Sequence, residues 1–240
     1  MTTALSTLPG SPAFEAVIAR FNEVRSEQIA TILSRRNPEV LAWGVRFGDL
    51  DRIVKPYKKD PSRSSLAREL WETRILEARS LALMLIEPAT LTEPEIDRWV
   101  NEIDFPYIAD GFAGVVYRTP FGPAKMAAWT QRPEEFVRRA GFCLVYNAAS
   151  DPKNLTPDAH FATYLGQIER EIHGSANWSR EMMNMVPIAI GKRNDALYPL
   201  ALAATQAYGA VDVFHGDKTN CKIWDAATAL QDPKVRVKAP

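Results

Sequence analysis

Cysteine, histidine and net charge are all scarce in this sequence. Its 240 residues include two cysteines and three histidines, and 29 basic residues balance 29 acidic ones. So few cysteines, with Cys143 inside an apolar run, argue against a disulfide framework and favour a reducing, cytoplasmic setting. The zero net charge excludes a generally polycationic protein, so nucleic-acid binding would require a local basic patch.

Long hydrophobic runs and targeting signals are missing too. The longest apolar stretches are far shorter than a membrane span, and the N-terminal sequence has no basic segment followed by a long apolar core. We therefore expect neither a membrane anchor nor a secretory signal. Hydrophobic residues make up 46% of the chain, which is enough for a sizeable core. The length and the absence of linker-like composition predict one domain over 1–240.

Apolar residues recur at helical spacing along nearly the whole chain. One such pattern covers 12–36, and Thr92 followed by Glu95 has the spacing of a capping box. Pro187 should kink or split its helix, and we expect the tail from about 226 to 240 to be weakly ordered. No hairpin or βαβ rhythm appears. The sequence predicts an all-α fold, either a solenoid of degenerate HEAT-like helix pairs or a globular bundle.

Familiar catalytic and metal-binding motifs are absent. The chain has no phosphate-binding loop and no HExxH, GxSxG or CxxC motif. His215, Asp217 and Cys221 offer nitrogen, oxygen and sulfur ligands, but no fourth ligand lies near them in the sequence. A structural loop is therefore favoured over a metal site, and the role of the segment His215–Cys221 stays open.

Asp110 stands in an uncharged neighbourhood within the sequence FPYIADGFAGVVY. A carboxylate in such a place must find a hydrogen-bond donor, face a cleft, or titrate at a raised pKa. A buried, hydrogen-bonded or helix-capping aspartate is the alternative to a functional one. Gly111 and Gly114 follow it and would let another element approach closely.

Two adjacent arginines, Arg138 and Arg139, begin an otherwise apolar helix. The spacing four residues after Glu134 and Glu135 predicts two favourable surface pairs, Glu134 with Arg138 and Glu135 with Arg139. Helical winding places Arg139 at the edge of the apolar face and Arg138 farther round. Arg139 is thus the better candidate for an oriented guanidinium in a concave site.

Further basic and aromatic residues surround these segments. Such mixtures can hold phosphates and stack bases, although each residue alone is by default a solvated side chain. The candidate DNA-binding residues are Arg118, Lys125, Arg138, Arg180, Lys192 and Arg193.

The sequence resembles the AlkD-like bacterial DNA alkylation repair proteins, a family built of HEAT-like helical repeats. The resemblance implies a right-handed superhelix of antiparallel helix pairs that cradles double-stranded DNA as a monomer. Active members release N3- or N7-alkylated purines without a metal or cofactor. Six segments carry the resemblance, in family order: 43–55, 68–86, 96–112, 134–149, 168–194 and 215–226.

The resemblance implies a role for several single residues. Asp110 falls on the family's catalytic aspartate and Arg139 on its arginine, which we expect to hold a DNA phosphate. Pro106 and Met185 stand where the family has two cleft tryptophans. Replacement rings would have to come from the neighbouring aromatic residues, namely Phe105, Tyr107 or Trp178.

Three functions remain open from the sequence. The first is a DNA glycosylase, a hydrolase in which Asp110 stabilises the transition-state cation. The second is a HEAT-like module that binds damaged or branched DNA without chemistry, and the third is a protein scaffold. Either DNA-binding function implies a cytoplasmic, nucleoid-associated protein.

Overall fold

The computed structural model describes residues 10–216 and 222–232. In these residues it has helices and short 3-10 turns but no strand, so the predicted all-α class is confirmed. The helices are α1 (Pro12–Val24), α2 (Glu27–Ser34), α3 (Phe47–Val54), α4 (Arg63–Glu72), α5 (Leu76–Leu85), α6 (Glu93–Asn101), α7 (Pro106–Val116), α8 (Gly122–Trp129), α9 (Glu135–Ser150), α10 (Asp158–Glu171), α11 (Asn177–Arg193), α12 (Leu197–Tyr208) and α13 (Ala226–Gln231).

The chain divides into two compact units, one ending at Glu95 and the other beginning at Ile96. In the first unit, α4 and α5 are joined by three residues and pack against each other. The buried Glu77 carboxylate accepts hydrogen bonds from three successive backbone amides, those of Trp43, Gly44 and Val45, at 3.0, 2.7 and 3.2 Å. Gly44 has φ +76°, and a Cβ there would collide with the Ser26 carbonyl oxygen. This turn therefore requires glycine.

In the second unit, α7, α9 and α11 lie side by side and run in the same direction. Their N-terminal ends meet where Trp178 N–H donates to Glu135 at 2.6 Å. Their C-terminal ends meet where Tyr117 donates to Asp151 at 2.8 Å and Arg193 donates to the Ala148 carbonyl at 3.1 Å. The same end of each helix is thus brought to one place, and residues near the N-terminal ends of three helices can form one cluster.

The structure corrects two details of the expected helices, a split at Pro187 and a weakly ordered tail from about 226. The helical pattern over 12–36 forms two helices, α1 and α2. Pro187 lies inside the continuous α11, because packing against α9, α12 and α13 outweighs the loss of one backbone hydrogen bond. Residues 226–231 are ordered as α13, with Leu230 buried and the Asp225 side chain accepting from Thr228 N–H at 2.6 Å. The remaining tail, 233–240, lies outside the described residues.

Candidate functional site

Asp110 and Arg139 form a two-pronged ion pair between α7 and α9. Arg139 Nε donates to Asp110 Oδ1 at 2.7 Å, and Nη2 donates to Oδ2 at 2.8 Å. Arg139 is only 5% exposed, whereas a third of the Asp110 side chain is accessible. Both carboxylate oxygens are engaged in the bidentate geometry that arginine forms best.

The other edge of the Arg139 guanidinium is engaged by α11. Its Nη1 donates to Glu181 Oε2 and to the Trp178 carbonyl oxygen, both at 2.7 Å, and Nε also lies 3.2 Å from the Pro106 carbonyl oxygen. Four of the five N–H donors are therefore used inside the protein. The predicted role of Arg139 as a ligand for a DNA phosphate does not fit, because the buried guanidinium is already occupied.

Burial and the charges of neighbouring groups shift the pKa values of Asp110, Glu181 and Arg139 in different ways. Burial raises the pKa of Asp110, and the guanidinium of Arg139 acts against that rise. Burial alone would also raise the pKa of Glu181, but Arg139 and the hydrogen bond to His215 bring it below the usual range. Burial opposes the charged form of Arg139, yet the two carboxylates hold its pKa above the usual value. Arg139 is thus permanently charged, between two carboxylates.

His215 extends this cluster beyond Glu181. Its Nε2 lies 2.7 Å from Glu181 Oε1, and its ring contacts that of Trp178 with centroids 5.8 Å apart. His215 Nδ1 is buried without a hydrogen-bond partner among the described atoms. Asp110, Arg139, Glu181 and His215 therefore form one chain of contacts, which we call the Asp110–His215 chain.

Sequence reasoning missed Glu181 and assigned His215 elsewhere. Glu181 stands three residues after Trp178, which places both on one side of a helix, but nothing in the sequence pairs it with an arginine 42 positions earlier. For His215 with Asp217 and Cys221, the sequence favours a structural loop over a metal site, and the last two residues lie outside the described part of the chain. Within that part, no group of three histidine, cysteine, aspartate or glutamate residues is arranged to hold a metal ion.

Comparison with known proteins identifies the family. The family model described as DNA alkylation repair enzyme matches residues 17–227. The chain belongs to the DNA alkylation repair enzyme family. A solved structure, of a new family of proteins related to the HEAT-like repeat DNA glycosylases with affinity for branched DNA structures, matches with a TM-score of 0.79. That match has 20% identity and covers 91% of this chain and 92% of the other. It confirms the HEAT-like helical fold, and the comparison with curated proteins gives no match.

The positions of the two family tryptophans carry no exposed ring near Asp110. Pro106 and Phe105 are buried, and Trp178 is only 6% exposed. Tyr107 is half-buried and contacts the Phe105 ring edge-on, with centroids 4.6 Å apart. Met185 lies one helical turn beyond Glu181 and lines a separate groove. To replace the two family tryptophans, a ring would have to expose its face to DNA. Phe105 and Trp178 are buried and do not do so.

Three of the six basic residues predicted to bind DNA have strong partners within this repair-family protein. Lys125 is buried and lies 2.7 Å from Asp97 Oδ1. Arg193 donates to four backbone carbonyl groups in the last turn of α9 and just after it, those of Ala148, Ala149, Asp151 and Asn154. Arg138 pairs with Glu171 and not with Glu134, whose carboxylate pairs with Arg132. The expected Glu134–Arg138 pair is wrong because a tertiary partner is nearer.

The other three candidates differ in how free their side chains are. Arg180 donates to the Ser175 and Asp212 carbonyl groups. Arg118 follows the end of α7, is exposed, and among described partners bonds only the Gly114 carbonyl oxygen of that helix. Lys192 is half-buried and lines the groove that contains Met185. Their role in DNA binding stays a prediction.

The glycines after Asp110 do not serve the close approach that we expected from them. A Cβ added at Gly114 would meet nothing within 4 Å, and Gly111 is exposed. Neither glycine is therefore required for a close contact with another described helix. In the described part of the chain, no helix has the length and apolar character needed to cross a membrane.

Proposed function

We propose that this protein binds DNA, with a preference for branched structures, and does not excise bases. Membership of the DNA alkylation repair enzyme family supports a role on DNA. The structural relative has affinity for branched DNA structures, and its fold extends over nine tenths of this chain. The observation that carries the proposal is the engagement of both Asp110 oxygens by Arg139.

The Asp110–Arg139 pair argues for binding over excision. A carboxylate that assists glycosidic-bond cleavage stabilises a developing cation with its negative charge. Here a guanidinium already lies against that charge, and the positions of the two cleft tryptophans hold Pro106 and Met185. A site for excising a damaged base would therefore lack two features here, an unpaired carboxylate and aromatic side chains that line the cleft.

A basic surface suited to a DNA backbone lies in the first unit and contains none of the six basic residues predicted from the sequence. Helix α3 buries Leu50, Ile53 and Val54 on one face. The opposite face and the turn after it present exposed basic side chains, which we call the α3 basic face: Arg52, Lys55, Lys58 and Lys59.

The α3 basic face is only partly neutralised. Arg52 pairs with Asp49 at 2.7 Å, and Lys58 lies 4.0 Å from Asp51. Lys55 and Lys59 have no side-chain partner among the described residues. Clustered cations of this kind bind phosphates and release counterions, which makes binding depend on salt.

The test compares a four-way junction with a duplex of equal length over a range of salt concentrations. We expect tighter binding of the junction and a linear fall of log K with log salt. Replacing Lys55, Lys58 and Lys59 together by Ala should reduce the slope by about 2 to 3, since each phosphate contact contributes about 0.9. Arg132→Ala, in an exposed pair with Glu134, is the control. Binding independent of salt would contradict the proposal.

A glycosylase is the second candidate, because a third of the Asp110 side chain remains accessible. Its test is the release of 3-methyladenine or 7-methylguanine from methylated duplex DNA. We expect no release above the protein-free control. Release that disappears in a folded Asp110→Asn variant would replace the binding proposal with an excision mechanism.

A further inference from the structure

A groove in the second unit combines an exposed aromatic ring with an unpaired positive charge. It has a volume of about 690 Å³ and lies between the C-terminal halves of α9 and α11 and the segment that leads into α13. Tyr146, Met185, Lys192 and Trp224 are among its lining residues. The volume falls within the range of about 300–1,000 Å³ that is typical of small-ligand sites.

Trp224 presents an exposed aromatic ring on an anchored backbone at this groove. It is 63% exposed, whereas the other five tryptophans of the chain are buried or half-buried. Its carbonyl oxygen accepts from the buried Asn184 amide at 2.8 Å, and Asn184 in turn accepts from the Tyr208 hydroxyl at 3.2 Å. The next residue, Asp225, caps α13. The backbone is therefore anchored while the indole remains available, as a stacking platform requires.

Lys192 supplies the charge that a nucleotide would need. Its side chain lines the groove and has no partner among the described residues, in contrast to the neighbouring Arg193, whose donors are used by carbonyl groups. The groove also contains a carboxylate, Asp158, but this accepts from Asn194 at 2.9 Å and lies 3.8 Å from Arg193. The unpaired charge of the groove is thus positive.

We propose that this groove holds one unpaired nucleotide of DNA, with its base stacked on Trp224 and its phosphate beside Lys192. The inference rests on the proposed DNA binding and names the part of a branched structure that the protein recognises. An indole can stack on a base only when the face of that base is free, as in a flap or at a junction, and not within a continuous duplex. Met185 adds an apolar side chain to the lining and Tyr146 a second ring.

The groove is lined by residues of α9 and α11, the same two helices that carry Arg139 and Glu181. Met185 lies one helical turn, about 6 Å, beyond Glu181 along α11, and Tyr146 lies about 10 Å beyond Arg139 along α9. Since α9 and α11 run in the same direction, the groove lies nearer the C-terminal ends of both helices than the Arg139–Glu181 contact does.

The test uses three fluorescent probes: a paired duplex, the same duplex with a five-nucleotide single-stranded flap, and one whose flap is abasic. Wild type should bind the base-bearing flap about tenfold or more tightly than the abasic flap, since stacking contributes about one to two factors of ten per base. Trp224→Ala should remove that preference and leave duplex affinity unchanged, whereas Trp224→Phe should retain most of it.

Two further variants separate the groove from general effects. Lys192→Gln should lower the salt slope for the flap by about 0.7, the contribution of one single-strand phosphate. Leu155→Ala removes another exposed apolar side chain, 94% accessible and outside the groove, and should change nothing. Equal affinity for the base-bearing and abasic flaps, or a Trp224→Ala protein that keeps the preference, overturns the nucleotide site alone. Failure of wild type to bind any of the probes overturns the proposed DNA binding as well.

Discussion

Arg139 holds Asp110 through two hydrogen bonds of 2.7 and 2.8 Å while its other edge contacts Glu181 at 2.7 Å. One buried cation thus separates two carboxylates that belong to α7 and α11. The three groups together carry one net negative charge if all are ionised. The arrangement links the N-terminal halves of three parallel helices, so that it acts as a structural clamp as well as a candidate site.

Removing the positive charge of Arg139 from this clamp should destabilise the protein. We expect Arg139→Met to lower the free energy of unfolding by about 3 kcal/mol, because both carboxylates lose their shared partner in a largely buried place. Urea denaturation measures the change. Arg132→Met, which breaks an exposed pair with Glu134, should have little effect.

A compensating variant distinguishes charge from packing in the same clamp. If uncompensated carboxylates cause the loss, then adding Asp110→Asn and Glu181→Gln to Arg139→Met should recover part of the stability. A triple variant no more stable than Arg139→Met would show that the lost packing and hydrogen bonds of the arginine dominate.

The clamp should also make stability depend on pH through Glu181. The pKa of this carboxyl lies below its ordinary 4.5 in the folded protein, because Arg139 and His215 outweigh the effect of burial. A lowered pKa contributes stability that is present above the ordinary value and is lost as the pH falls through the folded value. The stability difference between wild type and Glu181→Gln should therefore be largest above pH 4.5 and shrink below it. Unfolding measured from pH 3 to pH 7 tests this.

Glu169→Gln provides the control for the pH measurement. Glu169 is exposed on α10 and has no side-chain partner among the described residues. Its replacement should leave the pH profile of unfolding close to that of wild type. A difference for Glu181→Gln that stays constant from pH 3 to pH 7 would contradict the assigned role of Glu181.

The local sequence pattern predicts most of the helices but not which residues contact each other across helices. The capping-box spacing at Thr92 predicts the start of α6, where Glu95 N–H donates to the Thr92 hydroxyl at 3.4 Å, and Gly209 ends α12 with φ +68°. Such signals depend on residues three or four apart. Pro187 shows their limit, because long-range packing keeps α11 continuous through it.

The sequence predicts only part of the candidate site, again because local spacing does not reveal long-range contacts. Asp110 stood out because its neighbourhood is uncharged, and Arg139 because of its place on the helix. Their mutual contact spans 29 residues and the contact with Glu181 spans 42. Helical spacing carries no information about such contacts, so the occupation of Arg139 by protein acceptors appears only when α7, α9 and α11 are assembled.

The contact between α8 and α9 depends on a glycine in the apolar helix. A Cβ at Gly141 would lie 2.5 Å from the Thr130 backbone nitrogen and 2.7 Å from the Trp129 carbonyl carbon. These are backbone atoms and cannot rotate away, so the two helices would have to separate. We expect Gly141→Ala to destabilise the protein by about 1–3 kcal/mol in urea denaturation, the usual cost of overpacking.

Gly114→Ala is the matched comparison for Gly141→Ala, because it makes the same substitution inside α7 where nothing lies within 4 Å of the added Cβ. There the gain in helix propensity acts alone, and stability should rise by about 0.5–1 kcal/mol. Opposite signs for the two substitutions would show that the close approach of α8 to Gly141 decides the outcome. If Gly141→Ala were also stabilising, the tight packing of α8 on α9 would be wrong.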